Sequence, residues 1–450
     1  MSLHLRTRVD KGAVVLAIIF LAAFPLLFKP WIHGFDTVAY YSWLRSTVID
    51  GNLDVGDEFA HYGYDAERGS THTGYTYNEW AVGSAVLWSP FFLAAHGLSH
   101  LAHVLGLPVA TDGYAAQYVW AISLASAMYA FIAVLLTYHL CREFFALPIS
   151  VLATAAVWLS SSLVFYMYSH PAMSHANDAF TYALFVFTWC KTRHQQWWHS
   201  AALRGAATGL CALVRQMNAV FICFALGEFV ASGVQAWLRT RQTIEMRQTF
   251  LKVATFSLAW WLVYSPQVIV WRIVFGHWIE VNPYAGGAGV GFDWLHPHLL
   301  SVLLSSDHGL FVWTPLMLPA ILGWLPFWRK DRRLTALLVL NFVLQLYVIA
   351  SWGDWSGSVA FGQRFFTNMI PSFALGLAAL LNVLQQRVRF RWLVTVCALF
   401  VIWNGLLIVR YVLEDIPRRG SMPLGHFIIG QFTVIPRHIS RILQALITRE

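Results

Sequence analysis

Residues 115–140 read AAQYVWAISLASAMYAFIAVLLTYHL, and this stretch decides the class of fold. It contains no Asp, Glu, Lys or Arg over 26 residues, whereas about 20 apolar residues in a helix are enough to cross the hydrocarbon core of a bilayer. Because lipid offers no hydrogen-bond partner to an exposed backbone, such a segment crosses as an α-helix. The sequence therefore predicts a transmembrane helix that ends near the basic residue Arg142.

The composition of the whole chain extends this prediction. Of the 450 residues, 58% are hydrophobic and 12% are charged, against about 25% charged residues in ordinary soluble domains. The 30 Lys and Arg residues outnumber the 22 Asp and Glu residues, but in so apolar a chain this excess bears on membrane orientation rather than on nucleic acid binding. A soluble enzyme, a nucleic-acid-binding module and a disordered chain are excluded. We expect an all-α polytopic membrane protein, with residues 1–450 as a single integrated membrane domain.

Further apolar runs define the predicted topology. Besides residues 115–140, the predicted spans are 12–28, 149–166, 176–190, 253–273, 309–328, 334–350, 366–384 and 392–412. Basic clusters lie between these runs, and basic residues stay on the cytoplasmic side during insertion. Keeping all clusters on that side makes residues 81–105 a helix on the outer surface and residues 205–236 a short hairpin that enters and returns. This gives about eleven crossings. The predicted outer loops and the C-terminal tail are residues 29–114, 274–308, 351–365 and 413–450.

The first outer loop opens with a carboxylate at the predicted membrane boundary. Asp36 follows the first span and precedes Tyr40 and Tyr41. A carboxylate at this place suits a base, or a sugar-binding group, that meets a lipid-borne substrate. It also suits the cap of a helix beginning at Thr37, for which Asp is a favoured residue, and the residue type alone favours the cap.

A second outer turn, residues 168–178, carries two histidines and a carboxylate. His170, His175 and Asp178 suit a phosphate, a sugar or a metal ion if they face one cavity. The alternative is a polar turn that starts a helix. The spacing of the two histidines does not decide for a metal, because it matches no established ligand pattern.

Arg215 lies within the predicted hairpin, inside the apolar layer. An unpaired guanidinium there costs several kcal/mol, so an intramembrane Arg indicates a functional site or a buried ion pair. A lipid phosphate and a structural partner such as Glu228 are both open on this evidence.

The outer loop 351–365 combines tryptophans with an arginine at the mouth of a span. Arg364 offers planar donors suited to phosphate, and Trp352 and Trp355 offer ring faces suited to sugars. A membrane-boundary aromatic belt with an arginine that reaches the interface is the alternative. The glycines within residues 284–291 follow no strand and precede no P-loop lysine, so we interpret them as a loop able to close over a substrate.

Taken in order along the chain, these motifs resemble those of the polyprenyl-phosphate-dependent membrane glycosyltransferases with the type C (GT-C) fold. The protein O-mannosyltransferases and the aminoarabinose transferase that modifies lipid A are members. The stretches that carry the resemblance are Asp36 with Tyr40 and Tyr41, WSPFF at 88–92, GLCALVR at 209–215, DHGLFVWTP at 307–315 and FGQR at 361–364.

The resemblance implies roles for these residues. Asp36 is the expected general base, and Arg215 and Arg364 are the expected contacts to the donor phosphate. The other residues expected to line the substrate site are Tyr40, Tyr41, His170, His175, Asp178, Asp307, His308, Trp352 and Trp355. Thr37 departs from the Glu of the mannosyltransferase branch, which weighs against that branch and against a bound metal. No cofactor follows from the resemblance; a divalent cation is left open without an assigned ligand.

The resemblance further implies an inverting transfer of a sugar from a polyprenyl-phosphate donor to a lipid or surface-glycan acceptor. The expected location is a bacterial inner membrane, with membrane lipids around the chain and the site on the periplasmic face. A transporter or flippase of lipid-linked sugars is an alternative with similar needs, and a polymerase of lipid-linked polysaccharide units is another. Transporter halves related by an internal repeat are not visible in the sequence, which favours an enzyme.

Overall fold

The computed structural model describes residues 10–195, 198–280 and 290–448, and within these ranges the protein is all-α, without a β-sheet. The helices of the first half are α1 (Lys11–Leu27), α2 (Phe35–Arg45), α3 (Gly56–His61), α4 (Gly83–Val104), α5 (Ala116–Arg142), α6 (Leu147–Leu159), α7 (His175–Thr192) and α8 (Trp198–Val214). Those of the second half are α9 (Ile222–Thr240), α10 (Thr243–Val274), α11 (Leu299–Leu304), α12 (Leu310–Trp313), α13 (Met317–Leu322), α14 (Trp324–Lys330), α15 (Arg332–Ser351), α16 (Ile370–Leu384), α17 (Phe390–Val412) and α18 (Leu424–Thr448).

The helices confirm the predicted all-α polytopic membrane architecture. Within the described residues, six helical stretches are long and apolar enough to cross a membrane: 116–142, 216–240, 243–274, 332–351, 364–384 and 390–412. The helices α1 and α6 are apolar but shorter. The number of about eleven crossings stays a prediction. The residues Arg6 and Arg8 and most of the glycine-rich stretch 284–291 lie outside the described residues.

Small residues allow α8 and α10 to pack in direct backbone contact. A Cβ atom at Gly205 would lie 2.2 Å from the carbonyl oxygen of Phe256, and one at Gly209 would lie 2.7 Å from that of Trp260. Such close approach is typical of helix pairs in lipid, where van der Waals packing replaces the hydrophobic effect between helices. The pair therefore holds α8 in a fixed register.

The predicted surface segment 81–105 contains α4, whose first residue packs on the end of α8. A Cβ atom at Gly83 would lie 2.4 Å from the carbonyl carbon of Leu213. Further along α4, the buried Trp88 donates a hydrogen bond of 2.8 Å to Ser126 of α5. These contacts fix the position of the residues that immediately precede Arg215.

Arg215 lies at the break between α8 and the 3₁₀ turn Gln216–Phe221 that leads into α9. Its backbone is extended, with φ −145° and ψ 114°. Its side chain contacts the start of α7, which places it at one end of the helix bundle rather than at the middle of a span. We call this end the site end, because Asp36 and Arg364 also lie there.

Candidate functional site

The first pair at the site joins the two outer loops that the sequence singled out. Arg364 Nη1 donates a hydrogen bond of 2.8 Å to Asp36 Oδ2, although the residues are 328 positions apart in the chain. The side chain of Asp36 is 28% exposed and that of Arg364 is 11% exposed. An approaching molecule can therefore reach the carboxylate.

Asp36 is not the cap of α2. The N-cap is Gly34, whose φ of 90° suits glycine, and Asp36 lies in the first helical turn without a capping hydrogen bond to the helix. A carboxylate in the first turn also interacts favourably with the helix dipole. The capping interpretation is thus wrong, since Asp36 directs its side chain to Arg364.

The second pair is buried at the start of α7. Arg215 Nε lies 3.5 Å from Asp178 Oδ2, and Arg215 Nη1 donates a hydrogen bond of 2.9 Å to Nδ1 of His175. The side chains of Arg215 and Asp178 are 9% and 1% exposed. A ring nitrogen that accepts from a guanidinium carries no proton, so His175 is neutral in this arrangement.

Glu228, the partner considered for Arg215 from the sequence, makes other contacts. It lies 3.3 Å from Arg204 and accepts a hydrogen bond of 2.8 Å from the indole of Trp189. Because Glu228 follows the second turn of α9, it lies away from the site end, whereas Asp178 of α7 faces Arg215.

Phe365 joins the two pairs into one site. The guanidinium carbon of Arg215 lies 5.0 Å from the centre of its ring, and that of Arg364 lies 5.4 Å from the same centre. Both distances are within the range of a cation–π interaction. Tyr40 adjoins the same groups: burial raises the pKa of its phenol, and the charges of Arg215, Asp36 and Arg364 also act on it.

A series of hydrogen-bonded, buried side-chain amides adjoins Asp178 of the second pair. Asn218 donates a hydrogen bond of 2.6 Å to Asp178, and Asn368 lies 3.4 Å from the amide oxygen of Asn218. Gln345 of α15 then donates to Asn368 over 2.9 Å. This network connects three distant parts of the chain, and the hydrogen bonds within it restrict the orientation of its members.

His170 forms part of the rim near Asp36. Its ring packs edge-on against Trp31, with centres 5.5 Å apart, and lies parallel to Phe165 at 6.0 Å. Burial, with a smaller contribution from His33, lowers the pKa of His170 to about 4. His170 is therefore neutral at pH 7 and contributes no positive charge for a phosphate.

Two of the residues predicted to bind the substrate, Asp307 and His308, lie in a loop that contacts other loops of the protein. His308 Nδ1 makes a hydrogen bond of 3.0 Å with the carbonyl of Ser356, and its carboxylate neighbour Asp307 accepts one of 3.2 Å from the backbone of Gly420. Burial lowers the pKa of His308. The structure thus places Asp307 and His308 beside the loop that precedes Arg364, in contact with other parts of the protein.

Three of the aromatic residues expected at the substrate site contact other parts of the protein. The hydroxyl of Tyr41 donates to the carbonyl of Gly113 in the core of the first loop. Trp352 packs on Phe292 with ring centres 4.8 Å apart, and the ring of Trp355 lies 6.0 Å from that of His298.

The sequence analysis missed Phe365, Ser174, Asn218 and Asn368. Phe365 directly follows Arg364, and Ser174, whose hydroxyl lies 3.4 Å from Arg215 Nη1, directly precedes His175. Nothing in the spacing of Asn218 and Asn368 indicates that they meet. Among the residues described, no three His, Cys, Asp or Glu side chains come close enough to hold a metal ion.

Comparison with known proteins gives the fold a name. No protein-family profile matches the chain, and no curated protein sequence matches it. The chain superposes on ArnT from Cupriavidus metallidurans bound to undecaprenyl phosphate, with a TM-score of 0.50 and 12% identity over 94% of this chain and 74% of that one. For the apo state of ArnT the TM-score is 0.49 and the identity 13%, over 94% of this chain and 75% of that one. A third match is the oligosaccharyltransferase AglB from Archaeoglobus fulgidus, in complex with an inhibitory peptide and a dolichol-phosphate. Its TM-score is 0.43 and its identity 11%, over 94% of this chain and 54% of that one. The chain has the GT-C fold.

Proposed function

We propose that this protein is a membrane glycosyltransferase that moves a sugar from a polyprenyl-phosphate donor to a lipid or surface-glycan acceptor. The observation that carries the proposal is the site itself: two guanidiniums adjoin one ring, and one of them holds an accessible carboxylate at 2.8 Å. The GT-C fold supports the same conclusion, because ArnT has been solved with undecaprenyl phosphate.

The two arginines are suited to the donor phosphate. Arg364 Nε is buried and has no hydrogen-bond partner within the described part of the chain, and Arg215 Nη2 meets only the sulfur of Met217, at 3.7 Å. A thioether is a weak acceptor, so both guanidiniums retain N–H donors for an anion. Arginine binds phosphate oxygens in a planar, often bidentate geometry, which favours this assignment.

Asp36 is the proposed general base. An arriving phosphate competes for Arg364 and thereby frees Asp36 Oδ2, which then accepts the proton of the acceptor hydroxyl. The acceptor oxygen bonds to the anomeric carbon while the bond from that carbon to the phosphate oxygen breaks. The electron pair of the broken bond stays on the polyprenyl phosphate, whose charge the two arginines stabilise. Attack opposite the leaving phosphate inverts the anomeric carbon.

The basic residues between the predicted spans support a site on the outer face of a bacterial inner membrane. Clusters such as residues 329–333 and 387–391 lie at the ends of α14 and α17 opposite to the site end. Basic residues favour the cytoplasmic side, so we propose that the site end faces the periplasm.

The test compares the parent protein with Asp36→Asn, which keeps the shape of the side chain and an oxygen for Arg364. Both proteins are purified in detergent and supplied with a panel of polyprenyl-phosphate sugars and with membrane lipid and glycan extracts. Mass spectrometry then measures donor consumption, and NMR spectroscopy gives the anomeric configuration of the product. We expect the parent to consume one donor and the variant to bind that donor without turnover.

A donor that binds the parent but is never consumed, with acceptors present, contradicts the enzyme assignment and favours a transporter of lipid-linked sugars. Equal turnover by both proteins contradicts the role of Asp36 as general base and leaves the enzyme assignment standing.

A further inference from the structure

The segment between α17 and α18 crosses the site end and bonds to two loops there. We call residues 413–423 the strap. Most of its residues are exposed, but Ile416 is 2% exposed and Met422 packs on the main core cluster. Two buried or half-buried anchors in an otherwise exposed segment indicate that the strap has a defined position.

The first loop that the strap contacts is 305–309. The hydroxyl of Ser306 donates to the carbonyl of Met422 over 2.6 Å and accepts from the Met422 backbone N–H over 3.0 Å. The backbone N–H of Gly420 donates to Asp307 over 3.2 Å. The loop is therefore pinned to the strap at two adjacent residues.

The second loop, 354–358, lies against Arg364. The side chain of Arg419 donates to the hydroxyl of Ser358, and His308 of the first loop contacts the carbonyl of Ser356 at 3.0 Å. A Cβ atom at Gly357, where φ is +80°, would lie 3.0 Å from Arg364 Nε. The loop backbone thus forms one wall of the space that the guanidinium occupies.

Three non-glycine residues of these segments have left-handed backbone conformations, and one of them, Glu414, lies just past the end of α17. His308, Ser358 and Glu414 have φ values of 60°, 54° and 58°, in the left-handed region that non-glycine residues seldom adopt. They are three of the four such residues in the described chain. Strained conformations persist only where the surroundings enforce them, and they cluster at clamps and binding sites.

Charged contacts hold the N-terminal end of the strap. Asp415 accepts from Arg410 of α17 over 2.7 Å and lies 3.6 Å from Arg437 of α18. The backbone N–H of Asp415 also bonds to the carbonyl of Arg410, over 2.8 Å, which closes the end of α17. The strap is consequently fixed to two helices outside the site.

We propose that the strap positions Arg364 for the donor phosphate, with Ser306 and Arg419 as positioning residues that act through the loops 305–309 and 354–358. The inference rests on the proposed function for the identity of the ligand. Its structural part, that the strap holds the loop beside Arg364, is tested separately.

The test uses the double variant Ser306→Ala/Arg419→Ala in the full-length protein. Its matched control is Arg418→Ala, since Arg418 is the neighbouring arginine and pairs only with Glu414, at 2.9 Å, among the acidic residues described. We expect the donor KM of the double variant to rise roughly tenfold, equivalent to about 1.4 kcal/mol, with kcat within about twofold of the parent. Backbone hydrogen exchange should increase in residues 354–364 of the double variant and stay at the parental level in the control.

Unchanged exchange in residues 354–364 overturns the proposal, as does an equal effect of the control variant. A fall in kcat that matches a fall in folded protein also overturns it, because that result indicates a general structural role. If the parent consumes no polyprenyl-phosphate sugar, the proposed function fails, and the exchange measurement alone decides whether the strap holds the Arg364 loop.

Discussion

The site contains two arginine–aspartate pairs that differ in burial. In the rim pair, Asp36 is 28% exposed and bonds to Arg364 at 2.8 Å. In the inner pair, Asp178 is 1% exposed, lies 3.5 Å from Arg215 and is bonded to Asn218 as well. The two arginines are similarly buried, at 11% and 9% exposed, so the difference lies in the aspartates: Asp36 is open to a substrate and Asp178 is enclosed.

The difference separates a group that can change partners from one that is held in place. A buried charge that loses its partner is costly, so the inner pair keeps Arg215 in a fixed orientation. Asp36 keeps 28% of its side chain exposed, so the rim pair opens for a phosphate at a lower cost than the inner pair would. We infer that Arg215 is preorganised and that Arg364 and Asp36 are the adaptable part of the site.

The largest expected effect comes from Asp36→Asn in the rim pair. Removing a general base lowers kcat by about 10²- to 10⁴-fold, while the asparagine oxygen can still accept from Arg364. The thermal midpoint in detergent should stay close to that of the parent. Steady-state kinetics with the preferred donor provides the measurement, and a large loss of stability would show that the two pairs are not different in kind.

The same change in the inner pair, Asp178→Asn, should act mainly on stability. It leaves the charge of Arg215 without its buried partner, which costs about 3–5 kcal/mol. Denaturant unfolding in detergent measures the effect, with Asp293→Asn as control because that side chain is 59% exposed. A variant as stable as the control would contradict the assignment of a fixed inner pair.

The rim should also respond to pH through His170. Burial lowers the pKa of His170 to about 4, against about 6.5 in an unfolded chain, so between these values the unfolded state binds the extra proton. The contribution of His170 is complete above pH 6.5 and is lost as pH falls to 4, by up to about 3 kcal/mol.

Thermal unfolding of the parent and of His170→Gln from pH 7.5 to 4 tests this expectation. The buried carboxyls Glu58 and Glu79, whose pKa values burial raises to about 7, act in the opposite sense. Because they are present in both proteins, the difference between parent and variant isolates His170. If the unfolding temperatures of the parent and the variant change with pH in the same way, burial does not lower the pKa of His170.

The smallest expected effect is on the ring that joins the two pairs. Phe365→Leu removes both cation–π contacts, which should raise the donor KM roughly tenfold with little change in kcat. Phe366→Leu is the matched control, since Phe366 is 3% exposed and packs on Phe342 at 5.3 Å. Equal donor affinity in the two variants would show that the arginines bind independently of the ring.

Sequence reasoning identified the charged residues of both pairs but not the pairing. Arg215 stood out because a charge inside an apolar layer is costly unless it is paired or used, whereas Asp36, Asp178 and Arg364 stood out by their places in the predicted outer loops. Glu228, the example of a structural partner for Arg215, pairs with Arg204 instead, and the buried ion pair of Arg215 is made with Asp178. The capping role of Asp36 was wrong for a similar reason: local sequence favours a cap, and the contact that replaces it comes from residue 364.

In the C-terminal segment, too, the sequence identifies the charged residues and the structure identifies their partners. The sequence after Val412 carries five arginines on the side predicted to be outer, where basic residues are disfavoured. In the structure, Arg418 pairs with Glu414, and Arg437 lies near Asp415, so two of these charges have acidic neighbours. Asp307, expected at the substrate, bonds to Gly420 of this segment.

The sequence by itself determined that the chain is an all-α membrane protein and which charged residues merit attention. Both follow from hydropathy, which is a property of each segment and is summed along the chain. Only the tertiary structure decided which arginine holds which aspartate, and that Phe365 lies between two guanidiniums. These contacts join residues up to 328 positions apart. Helix packing brings them together, and local composition contains no information about that packing.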